Sequence, residues 1–188
     1  METLEAINKR ASLKAHLSTR DIEQEKIVKI LEAARLAPSA RNNQPWRFIV
    51  IKGKENVKNV VTGAFKEPNR MIMEAPVLII VCANPEDDVI ADGKEFYLIA
   101  VGLALENMLL AATDLGLVTH PMAAVNEVEL RKILGIPDEV KFVVATPLAY
   151  PAEGSYEEAA QERLSQRTRK DLRELVYTNA WGEAYGKD

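Results

Sequence analysis

The chain has 188 residues, of which 47% are hydrophobic, and carries a formal net charge of −4. That length and apolar content support one globular domain with its own core, and the acidic balance argues against nucleic acid or an anionic membrane as the main partner. A single cysteine and two histidines exclude an internal disulfide and a cysteine zinc site, and residues 1–20 lack the apolar region of a signal peptide, so a cytoplasmic protein is expected.

Leu4, Ile7 and Ala11 put one apolar stripe on a short first helix. The next stretch, Arg10-Ala11-Ser12-Leu13-Lys14, alternates basic or hydroxyl residues with apolar ones. An extended backbone would aim Arg10, Ser12 and Lys14 at one point. A forked guanidinium, a hydroxyl and an ammonium suit a phosphate monoester, although basic residues also suit a helix C-terminus. Ile27, Ile30, Leu31 and Ala34 follow amphipathic helix spacing, with Asp21 and Gln24 as a cap. Pro38 stops that helix, and Pro45 holds Gln44 extended before a strand from Arg47 to Lys52. Between the prolines, Ser39, Asn42, Asn43 and Gln44 offer short donors and acceptors to a planar ligand, or form an Asx-type turn.

Val57, Val60 and Val61 mark a short helix, and Met71 to Glu74 a further turn. Val77 to Ala83 is an unbroken apolar run, the pattern of a central strand buried on both faces; Cys82 lies in it as a core residue. Asn84 to Asp92 reads as a solvated loop. Tyr97 to Ala112 is apolar all round, too short and too polar in the middle for a membrane span, and is expected to be buried on all sides. Gly116 has the place of a C′ glycine, and Asn126 with Glu129 that of a capping box before Gly135. Val140 to Tyr150 reads as a strand kinked by Pro147. Arg163, Arg167, Arg169, Lys170 and Arg173 form the densest basic cluster, fit either for an anion or for a solvated helix face.

The Pro38-Ser39-x-x-Asn42-x-Gln44-Pro45-Trp46 stretch behind Glu32-Ala33-Ala34-Arg35 resembles the FMN-dependent nitroreductase family. So do Arg10-x-Ser12-x-Lys14, Leu117 to Ala124, Leu148-Ala149-Tyr150-Pro151 and Arg167-x-Arg169, and the likeness runs from about Leu4 to Trp181. The resemblance implies an α+β fold, with a mixed, mostly antiparallel sheet flanked by helices. It implies one domain over residues 1–188 in an intertwined homodimer, the tail 172–188 crossing onto the partner. It further implies two FMN sites at the interface. Arg10, Ala11, Ser12, Lys14, Arg167 and Arg169 would hold the phosphate end. Pro38, Ser39, Ala40 and Asn42 would approach the flavin from the partner subunit, and Asn69 would place an amide beside the ring. Pro121, Met122 and Ala123 would pack behind it and give a backbone donor to N5. Ala40 stands where relatives often carry a hydroxyl, and Met122 and Ala123 where many carry an acid and a glycine.

No residue need act as catalytic acid or base in such a site, and no metal is implied; the flavin carries the hydride. The expected reaction is ping-pong, with NAD(P)H reducing FMN and leaving before a nitroaromatic, quinone or similar small acceptor enters. An FMN-storing or sensing module without turnover stays open, as does a same-fold enzyme of dehalogenation or flavin fragmentation.

Overall fold

The computed structural model describes residues 1–186, so the last two residues of the tail expected to cross to a partner lie outside it. Its centre is strand β2 (Val77–Ala83), all seven residues buried. It lies between β1 (Trp46–Lys52) and β5 (Lys141–Leu148) in a three-stranded sheet of order β1-β2-β5. Trp46 faces Ala83, Lys52 faces Val77, and Val77 faces Leu148. Because strand side chains alternate, β2 feeds two cores. Val77, Ile79, Val81 and Ala83 enter one with helices α2 (Gln24–Arg35) and α4 (Phe96–Asp114). Leu78, Ile80 and Cys82 enter the other with α3 (Lys54–Ala64) and α5 (Glu127–Leu134). The result is an α+β fold with helices on both sheet faces. The sheet was expected to be mixed, but both of its ladders are antiparallel, and parallel pairing is confined to a single bridge between Ser12 and Thr119.

Several local expectations need correction. Helix α1 spans Thr3–Lys9, so Ala11 lies beyond it; Ala6 is its buried residue, while Leu4 and Ile7 face outward. Helix α2 starts behind Glu23, two residues after Asp21, and has no side-chain cap. By length and composition α4, with 19 residues, could cross a membrane, contrary to the sequence reading. In the fold it is a core helix through Ala100, Val101, Ala104, Met108 and Ala112. It is not buried all round: Leu98, Ile99, Gly102 and Leu103 form an exposed, mostly apolar stripe. Residues 84–92 are more ordered than a plain loop. They hold a 3-10 turn, Pro85–Asp87, and open a hairpin of β3 (Ile90–Ala91) and β4 (Lys94–Glu95). Asp92 and Gly93 close that hairpin with positive φ of 51° and 73°, the conformation that Asp-Gly favours. The register irregularity of the β2–β5 ladder falls at Val81/Cys82, not at Pro147.

The caps expected at Gly116 and Asn126 are present, the second as its N-cap bond alone, since the Asn126 amide goes to Ala64 O. Gly116, at φ 75°, follows α4 in the left-handed region. Its amide reaches Thr113 O and that of Leu117 reaches Ala112 O, at 3.1 and 2.8 Å, the paired bonds of a Schellman stop. The Asn126 side chain accepts from the Glu129 amide at the start of α5.

The far edge of the sheet positions the site. Val118 bridges to Ala149 and Met122 to Ala145, which lays residues 118–122 along β5; Ser12 then pairs with Thr119. Leu17 bridges to Pro151, the Ser18 amide reaches Tyr150 O and the Ala152 amide reaches His16 O. Residues 10–18 are thereby pinned to this edge at Ser12 and Leu17, with a bend over residues 14–16 between them, where His16 takes a φ of 59°. Helix α6 (Tyr156–Ser165) follows β5 and returns the chain to the same corner. On the opposite side, the outer edge of β1 has no strand beside it among the described residues.

Candidate functional site

Helix α1 ends at Arg10, whose ψ of 122° turns the chain extended. Arg10 Nη1 donates to Ser12 Oγ at 3.2 Å, so the expected alternation places the two side chains together. Helix α6 stops at Ser165, and the chain from Gln166 onward runs beside them. The Arg167 guanidinium donates to Asn8 O at 3.1 Å and to Arg10 O at 2.5 Å. It thereby caps the free carbonyls at the end of α1, which also draw a cation through the helix dipole. Arg169 Nη1 donates to its neighbour Thr168 O at 2.7 Å. The two basic segments, 157 residues apart in sequence, enclose a cavity of about 270 Å³ lined by Arg10, Ala11, Ser12, Arg163, Gln166, Arg167, Thr168 and Arg169. Four of these are guanidiniums and none is a carboxylate; among the described residues, the only carboxylate paired with them is Glu106, 4.0 Å from Arg10 Nε. Such a concentration of forked donors suits a phosphate dianion.

A second cavity, of about 380 Å³, shares Ser12, Arg163 and Gln166 with the first and so adjoins it. Its other walls include Lys14, His16, Met71, His120 and Glu162. His120 Nδ1 is buried and has no hydrogen-bond partner among the described residues. Burial pushes this imidazole below the usual histidine range; Lys14 and Arg163 act in the same direction, and the Ser12 carbonyl acts against them.

The remaining expected site residues divide. Met122 exchanges two backbone hydrogen bonds with Ala145, at 2.9 and 2.8 Å, and its side chain is in the second core. Its amide is thus spent inside the protein, which leaves the Ala123 amide, without an acceptor among the described residues, as the open backbone donor of that segment. Pro121, just before them, is half-buried. Asn69 opens a 3-10 turn, Asn69–Glu74, and lines neither cavity; Met71 of that turn does. Pro38, Ser39 and Ala40 line a separate hollow of about 110 Å³ against Phe96, Ile99, Ala100 and Leu103 of α4. Asn42 is exposed beside it. Ser39 Oγ accepts from the Gln44 amide at 3.0 Å. Arg41, Asn42 and Gln44 all take positive φ, between 50° and 60°, a strained run for residues other than glycine. One chain therefore assembles the basic corner but holds the Pro38 loop apart from it.

Arg163, Gln166, Thr168, Met71 and His120 escaped the sequence reading. Arg163 was visible as part of a basic cluster, and its place four residues before Arg167 was the available signal. Nothing local marked Met71 or His120.

The sequence model of the family described as Nitroreductase family matches residues 7–70 and 64–150. A Methanothermobacter thermautotrophicus protein, provisionally named NADH dehydrogenase/NAD(P)H nitroreductase, is 36% identical over 159 residues, covering 81% of this chain and 79% of its own. The FMN reductase [NAD(P)H] of Bacillus subtilis is 30% identical over 182 residues, covering 88% and 71%. A nitroreductase family protein of Clostridium novyi superposes with a TM-score of 0.76 at 33% identity, covering 98% of this chain and 97% of that one. A provisionally named nitroreductase of Desulfovibrio desulfuricans, solved with FMN, superposes at 0.79 with 26% identity, covering 96% and 98%. Together with the antiparallel α+β fold, these likenesses define the class as a flavoprotein-type oxidoreductase. The chain belongs to the nitroreductase family.

Proposed function

We propose that the protein is an FMN-dependent oxidoreductase that takes reducing equivalents from NAD(P)H and passes them to small electron-poor acceptors such as nitroaromatics and quinones. The observation that carries this reading is the cavity of four guanidiniums without a carboxylate, adjoining a second, less charged one. The first has the chemistry for the FMN phosphate, and the second has the place for the ribityl chain and ring. Bound there, FMN supplies the hydride transfer. Arg10, Arg163 and Arg169 hold the phosphate, Ser12 adds a hydroxyl, and Arg167 braces the segment against α1. Lys14 offers its ammonium to the carbonyl and nitrogen edge of the ring. The Ala123 amide is the available backbone donor toward it. Residues that only bind and orient suffice for this chemistry.

The reading includes a homodimer, in keeping with the exposed stripe of Leu98, Ile99 and Leu103 beside the Pro38 hollow. A second copy covering that stripe would bring its own Pro38 loop to a site built mainly by the other chain. The tail points the same way. Beyond α7 (Leu172–Leu175), Tyr177 bridges to Ala184, and the Tyr177 and Trp181 rings lie 4.7 Å apart. Trp181 is nevertheless 90% exposed, a large apolar surface for a tail to leave in water. The open edge of β1 is a place where such a tail, from a partner, could pair.

The test is anaerobic. The FMN-loaded protein should bleach with NADH or NADPH and recover its colour with a quinone or nitro compound, with parallel double-reciprocal lines in steady state. Protein that takes up no FMN, or bound flavin that NAD(P)H leaves oxidised, would overturn the proposal. A second reading, reductive dehalogenation, is favoured by the iodotyrosine deiodinase of Haliscomenobacter hydrossis, 32% identical over 168 residues, covering 73% of this chain and 74% of its own. Iodide release from a halogenated phenol by the reduced protein would distinguish it.

A further inference from the structure

Both histidines of the chain, His16 and His120, line the second cavity, but they differ. The His16 ring pairs through Nδ1 with Ser155 Oγ at 3.0 Å. His120 has a buried Nδ1 without a partner among the described residues and a main chain fixed by the Ser12–Thr119 bridge and by its own amide on Thr146 Oγ1 at 3.1 Å. An imidazole held in one place at the wall of a ligand cavity, with a ring nitrogen unspent, is placed to answer a charge that appears in the cavity. Resting on the FMN reading above, we propose that His120 takes up a proton when the bound flavin is reduced, and so compensates part of the charge that reduction adds.

The balance is as follows. A hydride from NAD(P)H brings two electrons and one proton, and leaves the site one unit more negative. A proton drawn from water onto the imidazole restores the charge. The charged groups that face His120 decide when this happens. Lys14 on the 10–16 segment and Arg163 on α6 oppose a further cation, while Glu162 on α6 favours one; His16 is the other titratable wall residue. Before reduction, burial, Lys14 and Arg163 disfavour the charged ring, against the Ser12 carbonyl, which favours it. The new negative charge offsets the two cations, so protonation of the ring becomes easier by ordinary Coulomb attraction in a partly buried site. Lys14 alone could answer the charge only by staying protonated, with no proton uptake from solvent.

Two measurements test this. The midpoint potential of the FMN-loaded protein is followed against pH, beside His120→Gln. One proton per two electrons changes the reduction equilibrium tenfold per pH unit, about 30 mV. The parent should show a window of a hundredfold per pH unit, about 60 mV, bounded by the His120 titrations of the oxidised and reduced forms; His120→Gln should hold the tenfold slope throughout. Equal slopes in the two proteins overturn the proposal. Should the variant fail to fold, the second measurement uses the parent. With only two histidines, the imidazole carbon-bound proton signals are assigned by His16→Gln and titrated in the oxidised and reduced protein. The His120 titration should move to higher pH on reduction while that of His16 moves less. A His120 signal that titrates identically in both states overturns the proposal. Flavin binding is scored first and separately: a parent that binds no FMN refutes the function proposed above, whereas a parent that binds FMN and shows one slope refutes only the role of His120.

Discussion

Replacing the arginines of the first cavity one at a time separates a ligand contact from a structural brace. Arg10 spends one donor on Ser12 Oγ and Arg169 spends one on Thr168 O, while a guanidinium has about five. Most of their hydrogen-bonding capacity is therefore open to a phosphate. Loss of a hydrogen bond to a charged group costs about 1.5–3 kcal/mol, roughly ten- to a hundredfold in affinity. Arg10→Ala and Arg169→Ala should each weaken FMN by that factor and leave the urea midpoint close to the parent's. Arg167 differs, because two of its donors hold the α1 carbonyls of Asn8 and Arg10. Arg167→Ala should weaken FMN and also lower stability, by roughly 1–3 kcal/mol for the two carbonyl bonds. Arg167→Lys keeps the charge but not the fork and should recover only part of either loss. Apo-protein titrated with FMN and with riboflavin supplies the assay, since riboflavin lacks only the phosphate. The variants should lose affinity for FMN and little for riboflavin, with Arg173→Ala as control. Equal losses for both ligands, or parent-like binding by Arg10→Ala and Arg169→Ala together, would refute a phosphate site in this cavity.

Deleting residues 172–188 leaves Arg167 and Arg169 in place, and should shift sedimentation toward monomer while lowering flavin occupancy; a truncated protein that stays dimeric and equally yellow would show that the tail serves no partner. Burial pushes the Cys82 thiol up to about 11, so the folded protein should react slowly with a thiol reagent at pH 8 and rapidly once unfolded. The folded state therefore retains a thiol proton that the unfolded state gives up from about pH 9.0, the ordinary thiol range. Stability should thus fall as pH rises from there to about 11, and fall less in Cys82→Ala. Gly116→Ala should lower stability by about 1–2 kcal/mol, because the position has φ 75° while nothing lies within 4 Å of an added Cβ; an unchanged denaturation midpoint would refute the Schellman account of that helix end.

What the sequence determined by itself was local. A run of seven apolar residues can only be a strand between two cores, and Val77 to Ala83 became one. Gly116 and Asn126 fulfil their capping roles because a cap is decided within four residues. The alternation brought Arg10 and Ser12 together, because strand period is a property of the backbone, but Lys14, expected at the same point, falls in a bend and lines the second cavity instead. Tertiary structure decided the rest. Pairing of residues 118–122 with β5, and of Ser12 with Thr119, brings Arg10 to Arg167 across 157 positions, a closeness that neither segment encodes alone. It also decided that Met71, not Asn69, borders the second cavity, and that Met122 turns its side chain into the core. The apolar run of α4 could not reveal which of its sides the domain leaves uncovered. Which side is buried depends on where α2 and the sheet pack, and that is set by contacts distant in sequence.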